Sequence, residues 1–253
     1  MYSPLQQREL FHLAFLRFFA RRVRPDSYAL KGGVNLRFFY QSPRYSEDMD
    51  LDIRQIPLHQ IKKIVMDILN SKTLSTILKP FQIESIRPPD IQKAKQTETV
   101  QRFKVHLITN AGEDLFTKIE FSRRSLHQGA GQDAVDHSIL FSYKQPPLIV
   151  SHYPASVAVM QKIEALLGRP DIQARDIFDI FILQPQVEAK KLEAIPQTFS
   201  KEKREAVRCR LNAIDYKMFR NAVCAYLSEQ DRAYYDHPKI WETILRKAGA
   251  ILV

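Results

Sequence analysis

A chain of 253 residues, 45% hydrophobic and 26% charged, has the apolar content of an ordinary water-soluble globular protein and room for one large domain or two modest ones; it is not a disordered or fibrous chain. The net charge of +10 and a pI near 9.6 point to an anionic partner, nucleic acid first and an acidic protein second, against the plain alternative of solubility. Two isolated cysteines, Cys209 and Cys224, exclude a disulfide framework and read as packing residues; with no charged-then-apolar leader and no apolar run long enough for a bilayer, the expectation is a cytoplasmic protein with no membrane partner.

In chain order, residues 4–23 read as a helix. Ser3 is its N-cap, Pro4 its first residue, and Leu10, Phe11, Ala14, Phe15, Phe18 and Phe19 its buried face. A short apolar strand (Tyr28, Ala29, Leu30) then runs into Gly32-Gly33 and a second helical pattern through Val34, Leu36, Phe38 and Phe39. Next comes SEDMDLDI, in which Ser46, Asp48, Asp50 and Asp52 alternate with Glu47, Met49, Leu51 and Ile53. On a strand the first four share a face. A row of carboxylates repels itself and packs nothing, so it suggests a divalent cation: Mg²⁺, with Mn²⁺ as the alternate hard ion, takes carboxylates together with substrate phosphates. Glycines ahead of a helix N-terminus let backbone N–H groups approach an anion. Together these suggest a site for a nucleoside triphosphate and Mg²⁺. Neither G-x-x-x-x-G-K-[ST] nor G-x-G-x-x-G is present, so the cradle is neither a Walker loop nor a Rossmann turn.

Pro57 opens a further helix with a stripe of Ile61, Ile64, Val65, Ile68 and Leu69, and residues 81–86 read as a strand ending at Pro88-Pro89-Asp90. Residues 92–101 form a polar loop. Residues 102–108 and 115–122 alternate as strands; the second presents Lys118 and Glu120 on its polar face and ends at Arg123-Arg124, where phosphate contact and simple solvation are about equally reasonable. Residues 127–136 read as a glycine-containing loop, and 148–150 as a short strand. From about Tyr153 the pattern is helical, which divides the chain into residues 1–153 and 154–253. Residues 157–169 and 173–183 are helices, and Lys162 and Arg169, seven apart, share a face. A basic segment at 201–220 reads either as an RNA-tracking surface or as a solvated face, and Tyr226, Tyr234, Tyr235 and Trp241 as packing.

The combination Lys31, Gly32, Gly33, Arg44, Ser46, Asp48, Asp50 resembles the AbiEii/AbiGii toxin family of polymerase-β-type nucleotidyltransferases. TKIEFSRR is similar to the family's K-x-E strand, and K-I-E-A-L-L-G-R…A-R-D-I-F-D-I to its second motif. The resemblance implies an α/β (α+β) fold, a mixed sheet followed by a helical domain, with the nucleotide in the cleft between them. It implies metal ligation by Asp48, Asp50 and Glu120, phosphate binding by Lys31, Gly32, Gly33, Arg44 and Ser46, a Lys162 that meets the triphosphate, and an Asp176 that orients either Lys162 or the base of the nucleotide. Val34 departs from relatives with a hydroxyl residue just after the glycines, which shifts phosphate binding onto backbone N–H groups. The implied reaction is NMP transfer from an NTP to RNA, the tRNA 3′ end favoured, by the toxin of a toxin–antitoxin or phage-defence pair. A protein hydroxyl acceptor, perhaps on an antitoxin, and a non-catalytic nucleotide- or RNA-binding module are the alternatives.

Overall fold

The computed structural model describes residues 2–90, 97–123 and 129–252. The chain divides into two compact units, Met1–Phe39 with Tyr45–Tyr153, and Tyr40–Arg44 with Pro154–Val253.

The first unit is built on a mixed sheet. Its elements are α1 (Pro4–Ala20), β1 (Tyr28–Lys31), α2 (Gly32–Phe39), β2 (Asp48–Ile53), α3 (Leu58–Leu69), α4 (Lys72–Leu78), β3 (Ile83–Arg87), β4 (Val100–Thr109), β5 (Asp114–Ser122), β6 (Gly131–Ala134), α5 (His137–Ser142) and β7 (Ile149–His152). The strand order is β3-β4-β5-β2-β1-β7-β6. β2 runs parallel to β5 and β1 parallel to β7, while the other neighbours are antiparallel. The sheet buries one set of alternate side chains: Met49, Leu51 and Ile53 of β2, Phe103, Val105 and Leu107 of β4, Leu115, Ile119 and Phe121 of β5. α1 packs over this face, with Phe19 against Phe121 and Tyr28 at ring-centroid distances of 5.4 and 5.2 Å. α1 starts where a capping box satisfies its first N–H groups: the Ser3 side chain accepts from the Gln6 N–H, and the Gln6 side chain accepts from the Ser3 N–H.

A buried polar relay fixes the start of β2. Thr117, fully buried on β5, donates its hydroxyl to the Glu47 carbonyl at 2.6 Å, and His12 Nε2 of α1 lies 2.9 Å from the Thr117 Oγ1. The hydroxyl proton is spent on Glu47, so His12 must present Nε2–H to Thr117. Burial first, and then the nearby Arg8, push the His12 pKa down to about 3, so the ring is neutral. Glu9 is also buried under the helix; Arg37 donates to it at 2.6 Å and Tyr143 at 2.6 Å, tying α1 to α2 and α5.

Three regions depart from the sequence expectation. The loop read at residues 127–136 contains edge strand β6, an exposed polar segment with no buried alternation to mark it, held by antiparallel pairing to β7. The helices α4 and α5 are too short for a periodic stripe. The polar loop expected at 92–101 yields to β4 from Val100, with Gln101 buried, while residues 91–96, like Arg124 and His127, lie outside the described residues.

The second unit is helical: α6 (Ala155–Gly168), α7 (Ala174–Leu183), α8 (Ala189–Gln197), α9 (Lys201–Asn212), α10 (Tyr216–Ala222), α11 (Glu229–Tyr235) and α12 (Pro238–Ala250). Its core includes Phe178 and Phe219, with Trp241 stacked on Phe219 at 4.7 Å. Cys209 and Tyr234 are exposed rather than packed, since both sit on outward faces of their helices, whereas Cys224 is buried. No helix among the described residues is long and apolar enough to cross a membrane.

Replacing Thr117 with Val keeps the volume but removes the hydroxyl that donates to the Glu47 carbonyl and accepts the His12 N–H. We expect a loss of about 1–3 kcal/mol in urea denaturation. An unchanged midpoint would show that the relay contributes nothing to holding β2.

Candidate active site

The chain turns from β1 into α2 at Gly32, whose φ of +69° lies in the left-handed region that L side chains avoid. A Cβ there would also stand 2.8 Å from Asp50 Oδ2. Conformation and space therefore both require glycine, and the first N–H groups of α2 open beside a carboxylate of the D-x-D strand. Lys31, the residue before the corner, pairs with Asp52 of β2. Asp52 also accepts the Tyr153 hydroxyl at 2.8 Å and is buried. The third aspartate of the row is thus an internal anchor that holds Lys31, not an open ligand.

The parallel register of β2 and β5 sets Asp50 opposite Glu120 and Asp48 opposite Lys118. Residues paired in this way point to the same face, on strands about 4.8 Å apart. Asp48 forms an ion pair with Lys118 at 2.9 Å, and Glu120 one with Arg102 of β4. Asp50 has no ion-pair or hydrogen-bond partner among the described residues, and its pKa is raised, by burial first and then by Glu120 and Asp48, against the opposing pull of Lys31 and Lys118. Ser46 donates to the backbone carbonyl of Asp48 at 2.8 Å, so it shapes the start of the D-x-D strand.

Arg44 belongs to the helical unit, so the stretch read as one motif from Lys31 to Asp50 is divided between the two units. Its guanidinium is buried against Asp179 of α7 at 3.1 Å. Lys162 of α6 bonds Asp179 at 2.6 Å and lies 3.5 Å from Asp176, which Arg169 also reaches at 2.6 Å. Asp176 and Asp179 are fully buried. Burial alone would raise the Asp179 pKa, but Arg44 and Lys162 together hold it below the ordinary carboxylate value. The cluster sets three cations against two carboxylates. Arg175, on the same helix, is exposed.

Three residues of these sites carry no sequence signal of their role. Arg102 looks like any cation on a polar strand face, Lys118 like no more than the first residue of a K-x-E pattern, and Tyr153 like a core aromatic; only the structure shows that Arg102 neutralises Glu120, Lys118 neutralises Asp48 and Tyr153 holds Asp52.

Among the described residues, no three His, Cys or acidic side chains are gathered closely enough in this conformation to hold a metal ion, because Asp48 and Glu120 lean toward their resident cations. The donor set nevertheless fits a hard divalent cation. Asp48, Asp50 and Glu120 are all oxygen donors on one face, Asp50 is unpartnered and carries excess negative charge around it, and the Gly32 corner leaves the space above it clear of a side chain.

A carboxyl whose folded-state pKa is raised contributes stability that is lost as pH rises through that pKa, so ionised Asp50 costs stability at neutral pH. We expect Asp50→Asn to raise the Tm in metal-free buffer at pH 7. Mg²⁺ or Mn²⁺ should then raise the Tm of the wild type by mass action and leave the variant unmoved. An equal rise in both proteins would show that the ion binds elsewhere.

The model of the family described as "Nucleotidyl transferase AbiEii toxin, Type IV TA system" matches residues 14–245. No curated protein sequence matches. Among solved structures, MenT4, a nucleotidyltransferase toxin from Mycobacterium tuberculosis, superposes with a TM-score of 0.66 at 16% identity over 96% of this chain and 82% of that one. JHP933 from Helicobacter pylori does so with a TM-score of 0.58 at 15% identity over 99% of this chain and 95% of that one. At such identities these structures speak for the fold, a mixed sheet with helices, and the family match speaks for the activity. The chain belongs to the AbiEii family and is a nucleotidyltransferase toxin of the type IV toxin–antitoxin class.

Proposed function

We propose that this toxin transfers a nucleoside monophosphate from a triphosphate to an RNA 3′ hydroxyl, the tRNA acceptor end being the favoured target, with Mg²⁺ or Mn²⁺ bound by Asp48, Asp50 and Glu120. The observation that carries the proposal is the pairing of Asp50 with Glu120 across parallel strands, directly beside the Gly32 corner. A purely binding module needs anion donors and cations; it has no use for an unpartnered carboxylate facing two others.

The acceptor oxygen bonds to the α-phosphorus, the bond from that phosphorus to the bridging oxygen breaks, and pyrophosphate leaves. The backbone N–H groups at Gly32 and Gly33, at the start of eight-residue α2, bind phosphate oxygens. Their part is larger here because Val34 offers no hydroxyl. Glu120 takes the proton from the attacking hydroxyl, and Asp48 and Asp50 complete the oxygen set that holds the cation. The cation supplies charge neutralisation at the transferring phosphoryl group. Lys31, fixed by Asp52 and Tyr153, keeps a positive charge next to Asp50. Ser46 holds the strand, and Arg44 bonds Asp179 in the helical unit. In the helical unit the family likeness assigns Lys162 to phosphate charge and Asp176 to its orientation; the ion cluster supports the orienting half, since it fixes the Lys162 ammonium. In the cell the toxin would act in the cytoplasm, restrained by its antitoxin and released in defence against phage.

The test is incubation of the purified protein with each labelled triphosphate, Mg²⁺ and total RNA. We expect label in the tRNA fraction, and a loss of about a hundredfold or more for Glu120→Gln and Asp48→Ala at unchanged fold. Lys162→Ala should lower the rate beyond what its change in Tm explains. Label in protein instead of RNA would transfer the proposal to a protein acceptor, and nucleotide binding without turnover would end it.

A further inference from the structure

The charged side of the sheet does not stop at the acids. In the antiparallel registers Arg87 pairs with His106, Arg102 with Glu120, Lys104 with Lys118 and His106 with Phe116, so all of these side chains project from one face of β3, β4 and β5. Arg87 and Lys104 are exposed, and Phe116 is 39% exposed in spite of its size. The Phe116 ring meets His106 edge-on at 5.4 Å, and His106 itself pairs with Asp114 at 2.8 Å. Four cations thus lie on a grid about 7 Å along the strands and about 5 Å across them. The grid runs from the outermost strand, β3, to Glu120 and Asp48, the two acids that Arg102 and Lys118 neutralise.

We propose that this face is the track that seats the single-stranded end of the RNA acceptor, an inference that rests on the proposed transfer to RNA and gives its substrate a location. Phosphates lie over Arg87, Lys104 and Lys118, a base stacks on Phe116, and the strand leads its terminal hydroxyl to Glu120. The charges alone have another explanation, because cations on strands near a sheet edge discourage edge-to-edge aggregation. Phe116 argues against it: an uncovered aromatic ring defeats that purpose, whereas a ring among cations is what alternating base and phosphate require. An acidic protein fits less well, since it matches the cations but leaves the ring unused, and it has no reason to lie in line with the catalytic carboxylates.

The experiment uses the full-length protein and a short labelled RNA with a free 3′ hydroxyl, with fluorescence anisotropy followed across a range of salt. Arg87 and Lys104 are exposed, so Arg87→Glu with Lys104→Glu leaves the fold intact, as matched Tm values would verify. This double variant should weaken binding at least about tenfold and flatten the salt slope by about two. Phe116→Ala should weaken it between about fivefold and a hundredfold with the slope unchanged. Triphosphate affinity should stay at the wild-type value in both. RNA affinity at the wild-type level in both variants overturns the track, even where transfer to RNA is intact. So does a wild-type protein that does not bind the RNA and binds an acidic polypeptide, polyglutamate as the probe, on this face instead. If RNA binding falls as described but no triphosphate gives transfer, the track stands and the catalytic reading is what fails.

Discussion

The parallel contact between β2 and β5 is the constraint on which the rest of the molecule depends. It places Asp50 beside Glu120 and Asp48 one alternation away, in a register that no side-chain movement can undo. Like charges opposite one another destabilise a sheet, and the fold answers in three ways. Lys118 and Arg102 sit on neighbouring register positions and neutralise Asp48 and Glu120; Lys31 and Tyr153 take Asp52 out of the cluster; the hydrophobic side chains between them are driven into the core under α1. What remains, among the described residues of this cluster, is Asp50 at the glycine corner, near Lys31 and Lys118 but with no ion-pair partner of its own. The strain of the arrangement is thus confined to the one atom group best placed to take a cation.

Much of this was legible before any coordinates. The alternation of SEDMDLDI sets one face against the other, and the Gly-Gly pair predicts a turn into a helix; both are local features with a fixed period, and the structure has them where the sequence places them. The alternation of residues 115–122 likewise marks Glu120 as facing away from the core. Register was not legible. That Glu120 lies opposite Asp50, and not two residues along, depends on Thr117 reaching the Glu47 carbonyl and on His12 behind it, contacts between residues 70 and 105 positions apart. A polar threonine and histidine in apolar settings gave no sign of each other. Arg44 is a related case: its neighbours in sequence belong to the stretch read as a phosphate motif, while its guanidinium bonds Asp179, 135 residues away, a partner that no local pattern announces.

The helical unit shows the same economy with charge. Asp176 and Asp179 are fully buried, which is costly for lone carboxylates, and the pair is tolerated because Arg44, Lys162 and Arg169 converge on them. Removing any one cation would take a direct partner from a fully buried carboxylate, so the five residues act as a unit. A seven-residue spacing of Lys162 and Arg169 on one helix and a three-residue spacing of the aspartates on the next is the pattern such a cluster needs, and it is the pattern in the sequence.

A net charge of +10 invites the reading that the whole surface is built for nucleic acid. The partners of the individual cations argue otherwise. Arg8 and Arg17 donate to backbone carbonyls at Phe116 and at Pro146 and Pro147; Arg37 is bound to Glu9 and Arg44 to Asp179; Lys31 is bound to Asp52. These positive charges are structural, and counting them toward an electrostatic footprint would exaggerate it. The cations of β3, β4 and β5 differ in that they share one strand face, and two of the four are exposed while the other two touch the acids of the site. For a polyanion the decisive quantity is the density of charge along the path it follows, and on these three strands the cations line up toward Glu120.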